Sequence, residues 1–268
     1  MMKKIVAIGG GENGRILDDG KEFPYETEIM DREIIRLTGK EKPNFLFMVH
    51  AQDSLESQEE YFQTMKRIYG KKFGCQCLDL KSNELDNMEK VKEKIDWADI
   101  IYEGGGDTEI MLELWRNSGF DELLYNAWNA GKVISGISAG AVCWFKSCDS
   151  ERDKGKPTNV ECLNWFNAHL TPHCEEHGRY ETTKENLKKN KLVGIILSDC
   201  AALEIIDNQY RMLVSEPLCH NIKQAYGKKV YWINDAEYKE EIILPSKEFK
   251  NIDILLSKRK ERNHEDER

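Results

Sequence analysis

The sequence predicts an α/β fold built on a mainly parallel sheet. Three observations carry that expectation. The first half alternates short apolar runs with amphipathic segments, three of those runs end in glycine-rich turns, and 268 residues at 40% hydrophobic suffice for a large core.

Strands are expected at Ile5–Ile8, Phe45–Val49, Cys75–Leu80, Ile100–Glu103 and Val133–Ile137. Each is a brief apolar run bounded by glycine, proline or polar residues. Between them, Thr27–Thr38, Ser57–Gly70, Asn87–Ile95 and Ile110–Ala130 repeat apolar residues at three- and four-residue spacing, which predicts helices. Such βαβ crossovers place ligands beyond the carboxyl ends of the strands, where the glycine turns fall. Further on, Asp149–Asn159 is polar and contains Gly155 and Pro157, so a mobile loop is expected. Leu192–Leu197, Ala201–Ile206, Gln209–Val214 and Lys229–Ile233 read as strands in close succession, with Asp207-Asn208 as a hairpin turn between two of them. No linker or repeat divides the chain, so one domain over residues 1–268 is expected, with a frayed, charged tail over about 257–268.

Composition excludes several function classes. A net charge of −9 disfavours nucleic acid and anionic membranes as partners. No apolar run approaches the ~20 residues of a membrane span, and the four apolar residues after Lys4 make a strand, not a signal-peptide core. The eight cysteines lie mostly in apolar segments, as buried free thiols do, and Cys75-x-Cys77 lacks metal or redox spacing. A cytoplasmic protein is expected. Nothing in the helices reads as an interface stripe, which leaves monomer and homodimer both open.

Four stretches bear on chemistry. Gly136-Ile137-Ser138-Ala139-Gly140 follows an apolar strand, so Ser138 is either a nucleophile on a sharp strand-to-helix turn or a plain helix cap. Gly104-Gly105-Gly106-Asp107-Thr108 closes the preceding strand; its backbone N–H groups suit an anion, and Asp107 or Thr108 suits a helix cap. Gly9-Gly10-Gly11-Glu12-Asn13-Gly14 formally matches a dinucleotide fingerprint, but no helix follows it. No acidic residue ends the second strand either, so a glycine turn at a cleft rim is expected. His169, His173 and His177 recur every four residues, but Pro172 would break a helical zinc stripe. His173, presented by a short turn, is then the candidate base, and His50 and His220 stand alone as structural or surface residues. The acid that orients the base has several candidates: Asp199 at a strand end, Glu175 near His173, and Asp149 and Asp153 in the polar loop.

In their order and spacing, Gly9-Gly10-Gly11, Gly104 to Thr108, Gly136 to Ala141, Pro172-His173 and Asp199-Cys200-Ala201-Ala202 resemble the S51 peptidases, the group of dipeptidase E and cyanophycinase. The resemblance runs from about Lys3 to Ile233. It implies a flavodoxin-like three-layer fold related to class I glutamine amidotransferases, with serine in place of their cysteine nucleophile, and no cofactor or metal. Carried over by position, Ser138 is the nucleophile, His173 the base, and the N–H groups of Gly105 or Gly106 and Ala139 the oxyanion hole. Asp199 matches the acid of cyanophycinase-like members and Asp149 the loop acid of dipeptidase E. Arg179 matches an arginine that pairs with a substrate carboxylate, and Asp107 and Thr108 of the glycine turn are the further substrate-binding candidates. The implied partner is a small peptide, with an acidic residue at the scissile bond. The alternatives are an α/β-hydrolase-type esterase and a catalytically silent relative that binds a ligand in the same cleft.

Overall fold

The structure is a computed structural model that describes residues 1–17, 19–150, 158–176, 178–215 and 224–258. Its first half alternates as the periodicity predicts. In chain order it runs β1 (Lys4–Ile8), α1 (Glu28–Leu37), β2 (Asn44–Met48), α2 (Leu55–Met65), β3 (Gln76–Leu80), α3 (Met88–Trp97) and β4 (Ile100–Glu103). The segment expected as one helix over Ile110–Ala130 is two, α4 (Thr108–Ser118) and α5 (Phe120–Asn129). Gly119 separates them: it takes a left-handed φ of 74°, which only glycine adopts without strain, and so ends α4. α2 continues into a π-helix over Lys66–Lys72.

β5 (Val133–Ile137) and the short α6 (Ala139–Val142) are followed by β6 (Phe145–Ser150), β7 (Thr158–Glu161), β8 (Phe166–Thr171) and α7 (Arg179–Asn190). Then come β9 (Gly194–Leu197), β10 (Ala201–Ile206), β11 (Gln209–Val214), β12 (Gly227–Ile233), β13 (Glu237–Ile243), β14 (Lys250–Asn251) and α8 (Ile252–Leu256). These strands form two sheets and not one. The first has the order β14-β11-β10-β1-β5-β4-β2-β3; β1, β5, β4, β2 and β3 run parallel, and β10 and β11 add on antiparallel beside β1. The expected hairpin joins β10 to β11, with Asp207 at a φ of 50°. The second sheet has the order β13-β12-β9-β8-β6-β7, with only β6, β8 and β9 mutually parallel.

The polar loop expected over Asp149–Asn159 is corrected at both ends. Asp149 and Ser150 belong to β6 and pair with Asn159 and Thr158 of β7, while residues 151–157, Asp153 among them, lie outside the described set. Asp149 is 3% exposed, because neighbouring side chains satisfy its carboxylate and make a polar strand buriable.

One face of the first sheet packs against α1, α2 and the π-helix, through Val6, Ile8, Phe45, Phe47, Met30 and Tyr69. The other face shares a larger cluster with α3, α4, α5 and the second sheet, in which Trp115 and Trp144 stack with ring centroids 5.8 Å apart. Helices on both faces of a parallel sheet are the layered α/β arrangement that the sequence predicts. Among the described residues no helix is long and apolar enough to cross a membrane.

The order β1-β5-β4 sets the site. Ile8 pairs with Ile137, and Glu103 with Gly136, so the turns after β1, β4 and β5 emerge side by side at one sheet edge.

Candidate active site

Ser138 follows β5 directly at a φ of 55° and ψ of −114°, a backbone conformation that costs energy for any residue with a side chain. Its N–H donates to Ile8 O at 3.0 Å, and its carbonyl accepts from Ala141 and Val142 at 2.9 and 3.1 Å, which starts α6 at once. The flanking glycines make the turn sterically feasible. A Cβ on Gly136 would lie 2.2 Å from Gly140 O, and one on Gly140 would lie 2.2 Å from Glu103 O. The helix-cap alternative for Ser138 does not hold, since its hydroxyl makes no cap hydrogen bond. It meets His173 instead, with Nε2 at 2.9 Å from Oγ.

His169, His173 and His177 form no helical stripe. His169 lies on β8 and is wholly buried, His173 follows in a turn at a φ of 47°, and His177 falls outside the described residues. Pro172 is the residue at which the strand ends, as its missing N–H demands. The Nδ1 of His173 lies 2.6 Å from Asp199 Oδ1, just beyond β9. Burial alone would lower the imidazole's pKa. The hydrogen bond and negative charge of Asp199 outweigh it and hold His173 above the usual value of 6.5, with Glu176 adding to the rise and Arg179 opposing it.

Glu175 stands behind this pair. Its two carboxylate oxygens accept the Asp199 backbone N–H at 3.1 and 3.3 Å, and burial, then the charge of Asp199, raises its pKa. Ligand atoms of His173, Glu175 and Asp199 all lie within 4.8 Å of one another, so these three are the metal-capable cluster among the described residues.

The glycine turn after β1 has a closer relation to the site than a cleft rim. A Cβ on Gly10 would lie 1.9 Å from Asp199 Oδ1 and 2.4 Å from the His173 ring, so the His173–Asp199 pair rests on bare backbone. Gly10 O also accepts the Cys200 N–H at 3.0 Å, which ties the turn to the residue after Asp199. Sequence reasoning missed Gly10 as a site residue, although three consecutive glycines after a strand were its signal. Gly10→Ala is expected to lower kcat/KM at least about 10²-fold, because the pair must shift by ångströms, and to cost about 1–3 kcal/mol through overpacking. Steady-state kinetics beside a thermal melt check both, and near-normal kinetics would mean that this packing does not matter.

Of the candidate N–H donors, Gly105 lies against Ser138, with its would-be Cβ 3.3 Å from Ser138 Cβ and 3.8 Å from Oγ. Gly105 O accepts from Gln52 Nε2 at 2.6 Å. Gly106, at a φ of 148°, turns toward the backbone of Ala51, whose carbonyl its Cβ would overlap. Ala139 opens α6 directly after Ser138. Asp107 caps α4, its Oδ1 accepting from Glu109 and Ile110 at 2.8 and 3.0 Å, and Thr108 is buried in the first turn. Arg179 pairs with Glu176 at 2.6 Å and opens α7.

Asp149 is not brought to His173. It receives hydrogen bonds from Thr183 Oγ1 at 2.7 Å and Asn186 Nδ2 at 2.6 Å, and His169 Nε2 lies 3.3 Å away. Burial opposes its ionisation, but the His169 contact and these donors together lower its pKa. His50 is structural, as expected: it accepts from Trp115 Nε1 at 2.8 Å, and burial depresses its pKa to about 3. His220 lies outside the described residues.

Ser138, His173, Ile137 and Gly105 line one end of a cleft of about 1300 Å³. It runs between the Gly11–Leu17 segment and the α2–π-helix face, past Tyr61, Lys66 and Arg67, and offers room for a peptide of several residues. No helix opens at the Gly11 end. Isolated bridges Asn13–Tyr25 and Ile16–Glu22 make a narrow hairpin-like strap there, as the lack of helical periodicity predicts.

A family model described as "Peptidase family S51" matches residues 19–213. The "Uncharacterized peptidase YgaJ" of Bacillus subtilis (strain 168) is 30% identical over 257 residues, covering 92% of this chain and 99% of that protein. Among solved structures, a peptidase from an acI-B1 Actinobacterium superposes with a TM-score of 0.68 at 18% identity, covering 94% of this chain and 97% of that one. A putative peptidase E protein from Listeria monocytogenes EGD-e superposes with a TM-score of 0.58, also at 18% identity, over 80% and 99%.

Proposed function

The chain belongs to peptidase family S51, and from that premise we propose that it hydrolyses small peptides with Ser138 as nucleophile. The observation that carries this reading is the chain of contacts Ser138 Oγ–His173 Nε2–Asp199 Oδ1, at 2.9 and 2.6 Å.

In the proposed reaction, Ser138 Oγ attacks the scissile carbonyl as His173 Nε2 takes its proton. Asp199 holds the Nδ1–H tautomer and stabilises the imidazolium. The N–H groups of Gly105 or Gly106 and Ala139 receive the oxyanion of the tetrahedral intermediate. His173 then passes its proton to the departing amine, leaving Ser138 acylated. A water molecule, deprotonated by the same nitrogen, releases the acid product and restores the serine. Arg179 is the proposed partner of a substrate carboxylate, which favours peptides with an acidic residue at the scissile bond. Asp107 serves by fixing α4 and the Gly104–Gly106 turn. The seven cysteines among the described residues are free thiols, which supports a reducing, cytoplasmic setting.

A fluorophosphonate probe tests the nucleophile. Stoichiometric labelling that mass spectrometry maps to Ser138, with peptidase activity lost in parallel, is the expected result. Full activity in unlabelled protein after exhaustive treatment, or a label on another residue, sinks the serine mechanism.

A further inference from the structure

Behind the site lies a second serine–histidine–aspartate group, sealed from solvent and unused by the proposed reaction. Ser147 Oγ lies 2.9 Å from His169 Nδ1, and His169 Nε2 lies 3.3 Å from Asp149 Oδ2. Ser147 and Asp149 are 3% exposed and His169 is fully buried, so no substrate reaches them. The group does not end at Asp149. Its carboxylate takes hydrogen bonds from Thr183 Oγ1 at 2.7 Å, Asn186 Nδ2 at 2.6 Å and Thr171 Oγ1 at 3.4 Å. The Thr171 and Thr183 hydroxyls lie 2.9 Å apart.

The placement of those partners along the chain gives the group its meaning. Thr171 is the last residue of β8, two before His173. Thr183 and Asn186 lie on α7, which begins at Arg179 just after the turn that carries His173. Asp149 therefore grips the chain on both sides of His173. We propose that Asp149 is a positioning residue, whose buried carboxylate clamps β8 to α7 and so fixes the His173 turn relative to Ser138 and Asp199.

The physical case rests on what else holds that turn. α7 has the sequence RYETTKENLKKN, and Leu187 is its one fully buried apolar side chain, so hydrophobic contact alone anchors it weakly. His173 itself sits at a φ of 47°, a conformation that surrounding structure must impose. A carboxylate accepting several short bonds in a dry interior supplies a directional tie, because leaving it unpaired there is costly. Its loss lets α7 and the turn move together, and a displacement of about 1 Å at a catalytic base is enough to lower the rate on the order of 10²-fold.

The inference rests on His173 being the base, and its test separates the two ideas. The probes are Thr183→Val, which removes one hydroxyl at nearly constant volume, Thr183→Ser, which keeps it, and Asp149→Asn, all in the full chain. Two quantities are read for each: kcat and KM per folded molecule, and the downfield NMR resonance of the His173 Nδ1–H shared with Asp199. Thr183→Val is expected to lower kcat about 3- to 10-fold and Asp149→Asn on the order of 10- to 100-fold, both at nearly unchanged KM. The resonance broadens in both, and Thr183→Ser recovers most of the rate and the signal. Folded Thr183→Val and Asp149→Asn proteins with an unaltered resonance overturn the clamp, whatever their rates. A lost resonance at undiminished kcat supports the clamp and overturns His173 as the base. If Asp149→Asn does not fold, the Thr183 pair alone decides.

Discussion

Ser138→Ala is expected to remove peptidase activity, with kcat falling about 10³-fold or more and the fold unchanged. The loss is one hydroxyl at the mouth of a cleft, and no structural bond depends on it. Ser138 anchors its turn through backbone groups, with its N–H on Ile8 and its carbonyl on Ala141 and Val142, all of which alanine retains. The left-handed φ of 55° is already borne by a residue with a Cβ, so alanine adds little strain. The melting temperature is therefore expected to stay within a few degrees of the parent. What disappears is the atom 2.9 Å from His173 Nε2, and with it the covalent route. Activity measured with a short acidic peptide, alongside the melt, decides the matter. Turnover within tenfold of the parent would leave His173 acting on water and would end the acyl-enzyme mechanism.

The second large effect is expected from Asp199→Asn. Asparagine keeps the size of the side chain but not its charge, and it can turn an N–H₂ toward His173 Nδ1. That contact favours the tautomer with its proton on Nε2, the nitrogen that must accept from Ser138. A kcat lower by about 10³- to 10⁴-fold at little-changed KM follows. The pH profile carries a further signature. His173 is raised above 6.5 in the parent because the bond and charge of Asp199 overcome burial. The base must be neutral to act, so the parent's kcat/KM falls as pH drops through that raised pKa. Without the charge, burial prevails and the pKa drops, so the residual activity of the variant should persist to lower pH than the parent's. Asp149→Asn is expected to leave that acidic limb in place, since Asp149 contacts His169, Thr183 and Asn186 and not His173. An acidic limb that moves with Asp149→Asn and stays with Asp199→Asn would reverse the roles.

Much of the fold was legible in the sequence because its signals are local. The runs at Ile5–Ile8, Ile100–Glu103 and Val133–Ile137 are mostly apolar, as strands covered on both faces are, and all three lie in the parallel part of the first sheet. Glycines beside Ser138 signalled a tight turn wherever that turn fell. The misses are also physical. β6, as FKSCDS, and α7, with few apolar residues, bury polar atoms that are satisfied by each other, and periodicity records apolar burial only. β13 is an edge strand whose charged residues face water, so EYKEEII gave no alternation to read.

By itself, then, the sequence determined the parallel α/β core, the turn that presents Ser138, and the short set of histidines and acids from which its partners come. Only the tertiary structure shows which of those acids lies against His173. Asp199 lies 26 residues from His173 and Asp149 lies 24 before it, so spacing cannot separate them. The separation comes from strand order: β9 delivers Asp199 beside Gly10 and the His173 ring, while β6 turns Asp149 inward to α7. A carboxylate has the same chemistry in either place, and what differs is the donor set around it. That set is assembled from β1, β8, β9 and α7, segments far apart in the chain that meet only when both sheets have formed.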